Sequence, residues 1–111
     1  MEPASDGTDS RNVVILGDHL VDRSPCGTGT CAEAALRYAR GQLGLGEPFV
    51  TESIMGTRFT GQAIAETQVG GGSEVFPAVI PKVTGSAYIT GLHQFVLDSE
   101  DPFPEGFQLK A

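Results

Sequence analysis

The sequence predicts an α+β fold on three observations. A short β-branched run stands near the start, one helix-forming stretch follows it, and a long series of β-textured segments completes the chain. The first run is RNVVIL (11–16), closed by Gly17-Asp18, and it reads as a buried strand. The polar, turn-rich residues 1–10 before it read as a loop or frayed end. Leu20 and Val21 then lead into a glycine-rich turn, DRSPCGTGT (22–30).

Thr30-Cys31-Ala32-Glu33 has the spacing of a capping box, so a helix is expected to start near residue 30. The residues that continue it, CAEAALRYAR, are good helix formers, with Glu33 and Arg37 placed at i and i+4 for an ion pair. Gly41 or Gly44 can end the helix with a positive φ. Ala32, Ala35, Leu36 and Ala39 form a small-residue face expected to pack closely against a sheet. After the helix, segments 48–55, 57–67, 75–83 and 86–97 each read as strands bounded by glycine or proline. Gly70-Gly71-Gly72 marks a hairpin or linker, and DPFPEGF (101–107) is a proline-bearing turn. Neither repeats nor a second domain are visible, so the order predicts a central helix followed by several antiparallel strands.

The 111 residues suit one domain with a real core, and the 40% hydrophobic and 19% charged content is that of a soluble globular protein. No apolar run approaches a membrane span, and the N-terminus lacks the basic and apolar regions of a signal peptide, so a cytoplasmic location is expected. The net charge is −7 and the seven Lys and Arg are scattered, which argues against nucleic acid as a partner. Two cysteines five positions apart do not make a disulfide framework, and the histidines at 19 and 93 show no metal-ligand spacing. Neither a metal site nor a membrane partner is expected.

The loop around Cys26 carries the chemistry. A thiol acts as base or nucleophile only as the thiolate, a form that a helix N-terminus favours. Gly27-Thr28-Gly29 lets successive N–H groups turn toward one point, a geometry that binds an anion such as a substrate carboxylate. Asp22, four residues before the cysteine, can hold a positively charged substrate nitrogen. Thiol, carboxylate socket and ammonium acceptor together describe a site for a free amino acid and for chemistry at its α-carbon. The structural alternative is a tight strand-to-helix connection whose cysteine serves as a small hydrophobe.

Spacing tests the rival cysteine chemistries. A C-x5-R phosphatase loop would need arginine where Ala32 stands, and a C-x-x-C redox pair is absent because the next cysteine is Cys31. A triad using His19 or His93 as base stays open. His19 reads as a turn residue, His93 as a structural histidine inside a strand, and Cys31 as packed against the core. Arg23 reads as bonding the backbone around the loop, and Ser24 as bracing it.

The motif DRSPCGTGT, preceded by RNVVILGDHLV and followed by GEPFVTESIMGTRFTGQ, GSAYITG and DPFPEGFQL, resembles the proline racemase family, including the 4-hydroxyproline epimerases. The resemblance runs over nearly the whole chain from Arg11. It implies one lobe of a diaminopimelate-epimerase-like fold, with β-strands wrapped around a central helix and an active site between two lobes. It further implies a reaction without pyridoxal phosphate or metal, in which one thiolate removes the α-proton and an opposite thiol returns one. In that reading Cys26 is one of the two acid/base residues, Gly27 and Thr28 bind the substrate carboxylate through their N–H groups, and Asp22 contacts the ring nitrogen.

Two departures qualify the resemblance. The family's first cysteine motif, M-C-G-H-G, is absent, and Cys31 lies on the same segment as Cys26 and so on the same side of the site. The chain is therefore expected to be the C-terminal portion of such an enzyme, without the N-terminal lobe, with a catalytically inactive lobe or truncated remnant as the alternative. A lobe that normally packs against another is expected to expose apolar surface, and to form a homodimer, aggregate or stay partly unfolded when alone. The second departure is Leu16, where the resemblance leads one to expect phenylalanine on the proline ring. A smaller residue leaves room for a ring hydroxyl, so the sequence does not decide between proline and hydroxyproline. Cys26 also separates the chain from the similar trans-3-hydroxyproline dehydratases, which usually carry threonine there.

Overall fold

The computed structural model describes residues 7–109. In chain order the elements are β1 (Ser10–Asn12), β2 (Ile15–Leu16), β3 (Leu20–Val21), α1 (Gly27–Ala39), β4 (Phe49–Ser53), β5 (Arg58–Gly71) and β6 (Glu74–Thr84). Four strands form one sheet in the order β1-β4-β5-β6, and β2 and β3 form a separate two-stranded ribbon. β1 runs parallel to β4, with Ser10 opposite Thr51 and Asn12 opposite Ser53. A parallel pair needs a long crossover, and here the β2–β3 ribbon and α1 supply it. The other pairings are antiparallel. The described residues form an α+β domain with one helix and mixed sheets.

The β4–β5 and β5–β6 connections follow from their turn residues. Gly56 has φ +86 in the tight turn after Ser53, where the Ser53 hydroxyl accepts the N–H groups of Met55 (3.2 Å) and Thr57 (3.3 Å). The glycine run at 70–72 forms the hairpin expected there. Gly70 takes φ +114, and a Cβ on it would meet the Glu74 carbonyl oxygen at 2.4 Å. A bulge lies between Ala63 and Ala65, opposite Pro81 and Ile80. Proline, which has no N–H for the ladder, is accommodated at such an irregularity.

The buried apolar residues are Ala34, Leu43, Phe49 and Ala63, with Tyr38 and Val79 packed against them. Phe49 is the largest of the four, and full burial of such a ring stabilises by about 1.5–3 kcal/mol. Its ring lies under α1, with the Arg37 guanidinium 5.2 Å from its centroid. The β4 side of the core is polar and mostly paired, Asn12 Oδ1 being buried without a hydrogen-bond partner among the described residues. Ser10 Oγ donates to Glu33 (3.0 Å), Asn12 Nδ2 donates to Thr51 Oγ1 (3.0 Å), and Glu52 lies between Arg11 (3.8 Å) and Arg58 (3.7 Å). Buried charge is tolerated only with such partners.

Several sequence expectations are corrected here. The 11–16 run is not one buried strand. It splits into β1 and β2, and Ile15 and Leu16 are exposed because the β2–β3 ribbon pairs with itself rather than with the main sheet. The helix starts at Gly27 rather than near residue 30, because Cys26 caps it a turn earlier. Thr30 is then a helical residue, and Glu33 is held by Ser10 and Arg37 (3.1 Å) instead of reaching back to a cap. The expected end holds, with Gly41 at φ +71 after the C-cap Arg40.

The small-residue face is not the buried one. Ala32, Ala35, Leu36 and Ala39 are exposed, Ala35 and Ala39 bordering a groove with β5 and β6, while Thr30 and Ala34 are buried and Cys31, Arg37 and Tyr38 are half-buried. Segment 86–97 is not a strand: it carries no ladder pairing, and Ile89, Leu92 and Phe95 are 89%, 94% and 89% exposed. Strand propensity without a neighbouring edge does not make a strand. His93 accordingly lies in the open, stacked on Phe95 at 6.1 Å, and is not a buried structural histidine. The loop expected over residues 1–10 lies mostly outside the described residues. Within them, Asp9 already bonds Val50 through both its N–H and its carboxylate (2.7 Å each), and Ser10 is in β1. The radius of gyration, 19.5 Å, exceeds the roughly 13 Å of a compact chain this long, reflecting how much apolar surface stays uncovered.

Gly61 tests the core. An added Cβ would lie 2.5 and 2.6 Å from Phe49 ring atoms and 3.0 Å from Thr30 Cγ2. Gly61→Ala is predicted to cost about 1–3 kcal/mol by overpacking. Urea denaturation should show this as a lower midpoint, and an unchanged midpoint would contradict the packing described.

Candidate functional site

The segment from Asp22 to Thr30 is held by a staircase of hydrogen bonds, each donated by an N–H to a side chain two or three residues earlier. Asp22 Oδ1 accepts from Ser24 N (2.9 Å), Ser24 Oγ accepts from Cys26 N (3.1 Å), and Cys26 Sγ accepts from Gly29 N (3.2 Å). These are the short-range partners that Asp, Ser and an N-cap side chain offer the backbone in place of regular structure. Pro25, which is buried, holds its own φ and keeps Ser24 extended, so the loop cannot fold into the helix early. The start of the staircase is tied to β2–β3 by Asp22 N donating to Val14 O (3.0 Å), and Thr57 Oγ1 donates to the Arg23 carbonyl from the β4–β5 side.

The result is an unusual backbone at Cys26, with φ 71 and ψ 121. It is the one non-glycine with a positive φ among the described residues. A side chain in that region costs of order 1–3 kcal/mol and persists only where surrounding bonds over-determine it. Those bonds are present, since the Cys26 carbonyl accepts both Thr30 N (3.0 Å) and Thr30 Oγ1 (2.6 Å).

Cys26 lines a groove of about 740 Å3 between the first turns of α1 and the chain at Asn12–Val14, with Gly29, Ala32, Glu33 and Leu36 along the helix side. That volume is in the range of small-molecule sites. Beside the sulfur, the N–H groups of Gly27 and Thr28 take no acceptor among the described residues, and both residues are exposed. They stand at the positive end of the 13-residue helix, whose first turn carries no acidic side chain to neutralise it. Nothing lies within 4 Å of where a Gly27 Cβ would be, so a ligand can approach that backbone closely. Two further grooves of about 600 Å3 each, one beside Tyr38 and Glu66 and one beside Arg23 and Tyr88, do not include the sulfur.

Cys26, Gly27 and Thr28 are consecutive at the start of α1, and of the three only Cys26 is among the residues lining the groove. Asp22 is half-buried and is not among the residues lining the groove, and its second carboxylate oxygen takes no partner among the described residues. Leu16, 57% exposed on the ribbon, does not line the groove either. Cys31 is half-buried and is not among the residues lining it, and His19 is exposed in the turn between β2 and β3. Ser24 braces the loop as expected, whereas Arg23 is held through its carbonyl and not through its side chain. Sequence reasoning missed Thr30 and Thr57 as supports of the loop. A threonine four residues after the cysteine was a usable signal for the first, because its hydroxyl can reach back one helical turn. Among the described residues no cluster of three His, Cys, Asp or Glu could hold a metal ion, and no helix is long and apolar enough to cross a membrane.

The strain at Cys26 can be measured without its sulfur. Cys26→Gly and Cys26→Ala both delete the cap, but only alanine keeps a Cβ at positive φ. The glycine variant is predicted to be the more stable by about 1–2 kcal/mol, read from thermal midpoints. Equal stability, or a more stable alanine variant, would mean the backbone is not strained there.

Residues 1–108 match the family described as Proline racemase. A proline racemase of Clostridioides difficile is 54% identical over 109 residues, 98% of this chain and 31% of the relative. A 4-hydroxyproline 2-epimerase of Streptosporangium roseum is 50% identical over 107 residues, 96% of this chain and 31% of the relative. Among solved structures, a hydroxyproline epimerase from Agrobacterium vitis with bound trans-4-hydroxy-L-proline matches with TM-score 0.67 and 41% identity. It covers 89% of this chain and 27% of that one. A probable proline racemase from Agrobacterium radiobacter K84 with bound carbonate matches with TM-score 0.72 and 40% identity, covering 97% of this chain and 30% of that one. The chain spans about 31% of the length of the curated relatives it matches. With a family match over nearly its whole length and relatives at half identity, this chain belongs to the proline racemase family.

Proposed function

We propose that this chain supplies one thiol of a cofactor-independent amino-acid racemase or epimerase acting on proline or 4-hydroxyproline, and that Cys26 is that thiol. One observation supports the reading: Cys26 lines a groove and caps a helix whose next two amides, those of Gly27 and Thr28, take no acceptor among the described residues. In the proposed site the substrate carboxylate accepts from the N–H groups of Gly27 and Thr28, as charge-assisted bonds at the positive end of α1. Asp22 takes the ring nitrogen through the oxygen that Ser24 does not use.

Carboxylate and nitrogen together fix two of the four groups on the α-carbon, and so present its hydrogen to one side. The Cys26 thiolate accepts that hydrogen as a proton, and the electron pair stays on the carbon. A proton arriving from the opposite face completes inversion, so a second acid/base group is needed there. Cys31 does not line the groove, and the second thiol is proposed to lie outside these 111 residues, across the cleft of a two-lobed, diaminopimelate-epimerase-like enzyme. A second reading, a catalytically silent lobe that binds without inverting, is favoured by Cys26 being the one cysteine on the groove.

A chimaera separates the two. This chain is grafted in place of the matching third of the Clostridioides difficile proline racemase, and inversion of L-proline and trans-4-hydroxy-L-proline is followed by chiral chromatography. The graft is predicted to invert at least one of them. Cys26→Ser is predicted to lower the rate at least about a thousandfold, and Cys31→Ser to leave it within about twofold. An active graft that tolerates Cys26→Ser would overturn the assignment. A folded graft that binds substrate without inverting it supports the silent-lobe reading instead.

A further inference from the structure

We propose that Thr30 is a positioning residue for the Cys26 thiol, acting through the Cys26 carbonyl. The inference rests on the reading of Cys26 as the reactive group. A residue's direction is set by the peptide groups on either side of it, and at Cys26 both are held. Ser24 Oγ fixes the amide at 3.1 Å, and Thr30 fixes the carbonyl twice, through its N–H at 3.0 Å and its hydroxyl at 2.6 Å. The hydroxyl is the contact that regular helix geometry would not supply.

Thr30 is itself immovable. It is fully buried, so its hydroxyl has no water to turn to, and its methyl group is wedged beside Gly61 and the Phe49 ring. Position is therefore handed from the core to the Thr30 side chain, from there to the Cys26 carbonyl, and from the carbonyl to the sulfur. A mid-helix threonine that bonds back one turn is common and contributes little. Here the accepting carbonyl belongs to the strained capping residue, at φ 71, whose side chain opens on the groove. Without the hydroxyl that backbone relaxes toward negative φ, Cβ swings, and the sulfur leaves both the Gly29 N–H and the groove.

The test compares the full chain as wild type, Thr30→Val and Thr30→Ser. Each is labelled in the folded state with iodoacetamide, and Cys26 and Cys31 are quantified separately by peptide mass spectrometry. Cys31, one residue from Thr30 and outside the groove, reports any general loosening. Wild-type Cys26 is expected to label faster than Cys31. Thr30→Val keeps the shape but not the donor, and is expected to slow Cys26 about tenfold while Cys31 is unchanged. Thr30→Ser restores the donor and is expected to return the Cys26 rate to within about twofold.

A valine variant with wild-type Cys26 labelling overturns the proposal alone. Wild-type Cys26 labelling no faster than Cys31 overturns the reading beneath it as well. Should the valine variant not fold, the wild-type Thr30 hydroxyl proton decides: buried and bonded, it is expected to exchange slowly enough to be seen by NMR, and its absence overturns the proposal.

Discussion

The rest of the structure depends on one constraint, the backbone of Cys26 held at positive φ by hydrogen bonds on both its amide and its carbonyl. That conformation lets the sulfur serve as the cap of α1, accepting from Gly29, while Gly27 and Thr28 are left with unspent N–H groups. A serine or aspartate cap in ordinary extended geometry would satisfy the helix end just as well. The strained thiol cap costs stability, and in the proposed site it serves chemistry. Strain retained at a cleft, and compensated by the structure around it, is characteristic of sites where geometry matters more than stability.

The fold supplies that compensation from two directions. From below, Phe49 and Gly61 fit so closely that Thr30 has one place to be, which locks the second half of the loop. From the side, the β4–β5 turn reaches over to the loop. Ser53 and Thr57 share a 2.6 Å hydroxyl contact, and since Thr57 spends its proton on the Arg23 carbonyl, Ser53 is the donor. The short parallel strand β1 matters for the same reason. By pairing with β4 it brings Asn12–Val14 to the far wall of the groove opposite α1. Beyond Gly85, residues 86–88 and Thr90 border a groove with Arg23, Ser24 and Pro25 of the loop, and the apolar residues from Tyr88 to Leu97 stay uncovered in the chain as it stands.

Much of this was legible in the residues, and the failures have physical causes. The helix, β4, β5, β6 and the Gly70–Gly72 hairpin could be read because propensity and turn chemistry agreed. The helix start could not, because Thr30–Glu33 offered a good capping pattern and nothing local says that a cysteine will take the cap first. The buried face was misread because alanines mark close approach without saying to what, whereas Thr30 was buried for its hydroxyl. Segment 86–97 has the composition of a strand, but pairing is decided by which edges are free nearby. In the proposed site, Cys26, Gly27 and Thr28 follow one another at the helix start, and only Cys26 of the three lines the groove. Asp22 is bound into the loop by Ser24, a local competitor that the four-residue spacing did not reveal.

The account stands on the claim that a carboxylate is gripped by the two free amides beside the sulfur, and a backbone NMR titration of the full chain reads this directly. With trans-4-hydroxy-L-proline, the largest shifts should fall on the amides of Gly27 and Thr28, with Cys26 following. Pyrrolidine, which has the ring and nitrogen but no carboxylate, should leave all three in place. Equal responses to both compounds, or shifts centred on the groove beside Tyr38 or the one beside Arg23, would contradict it.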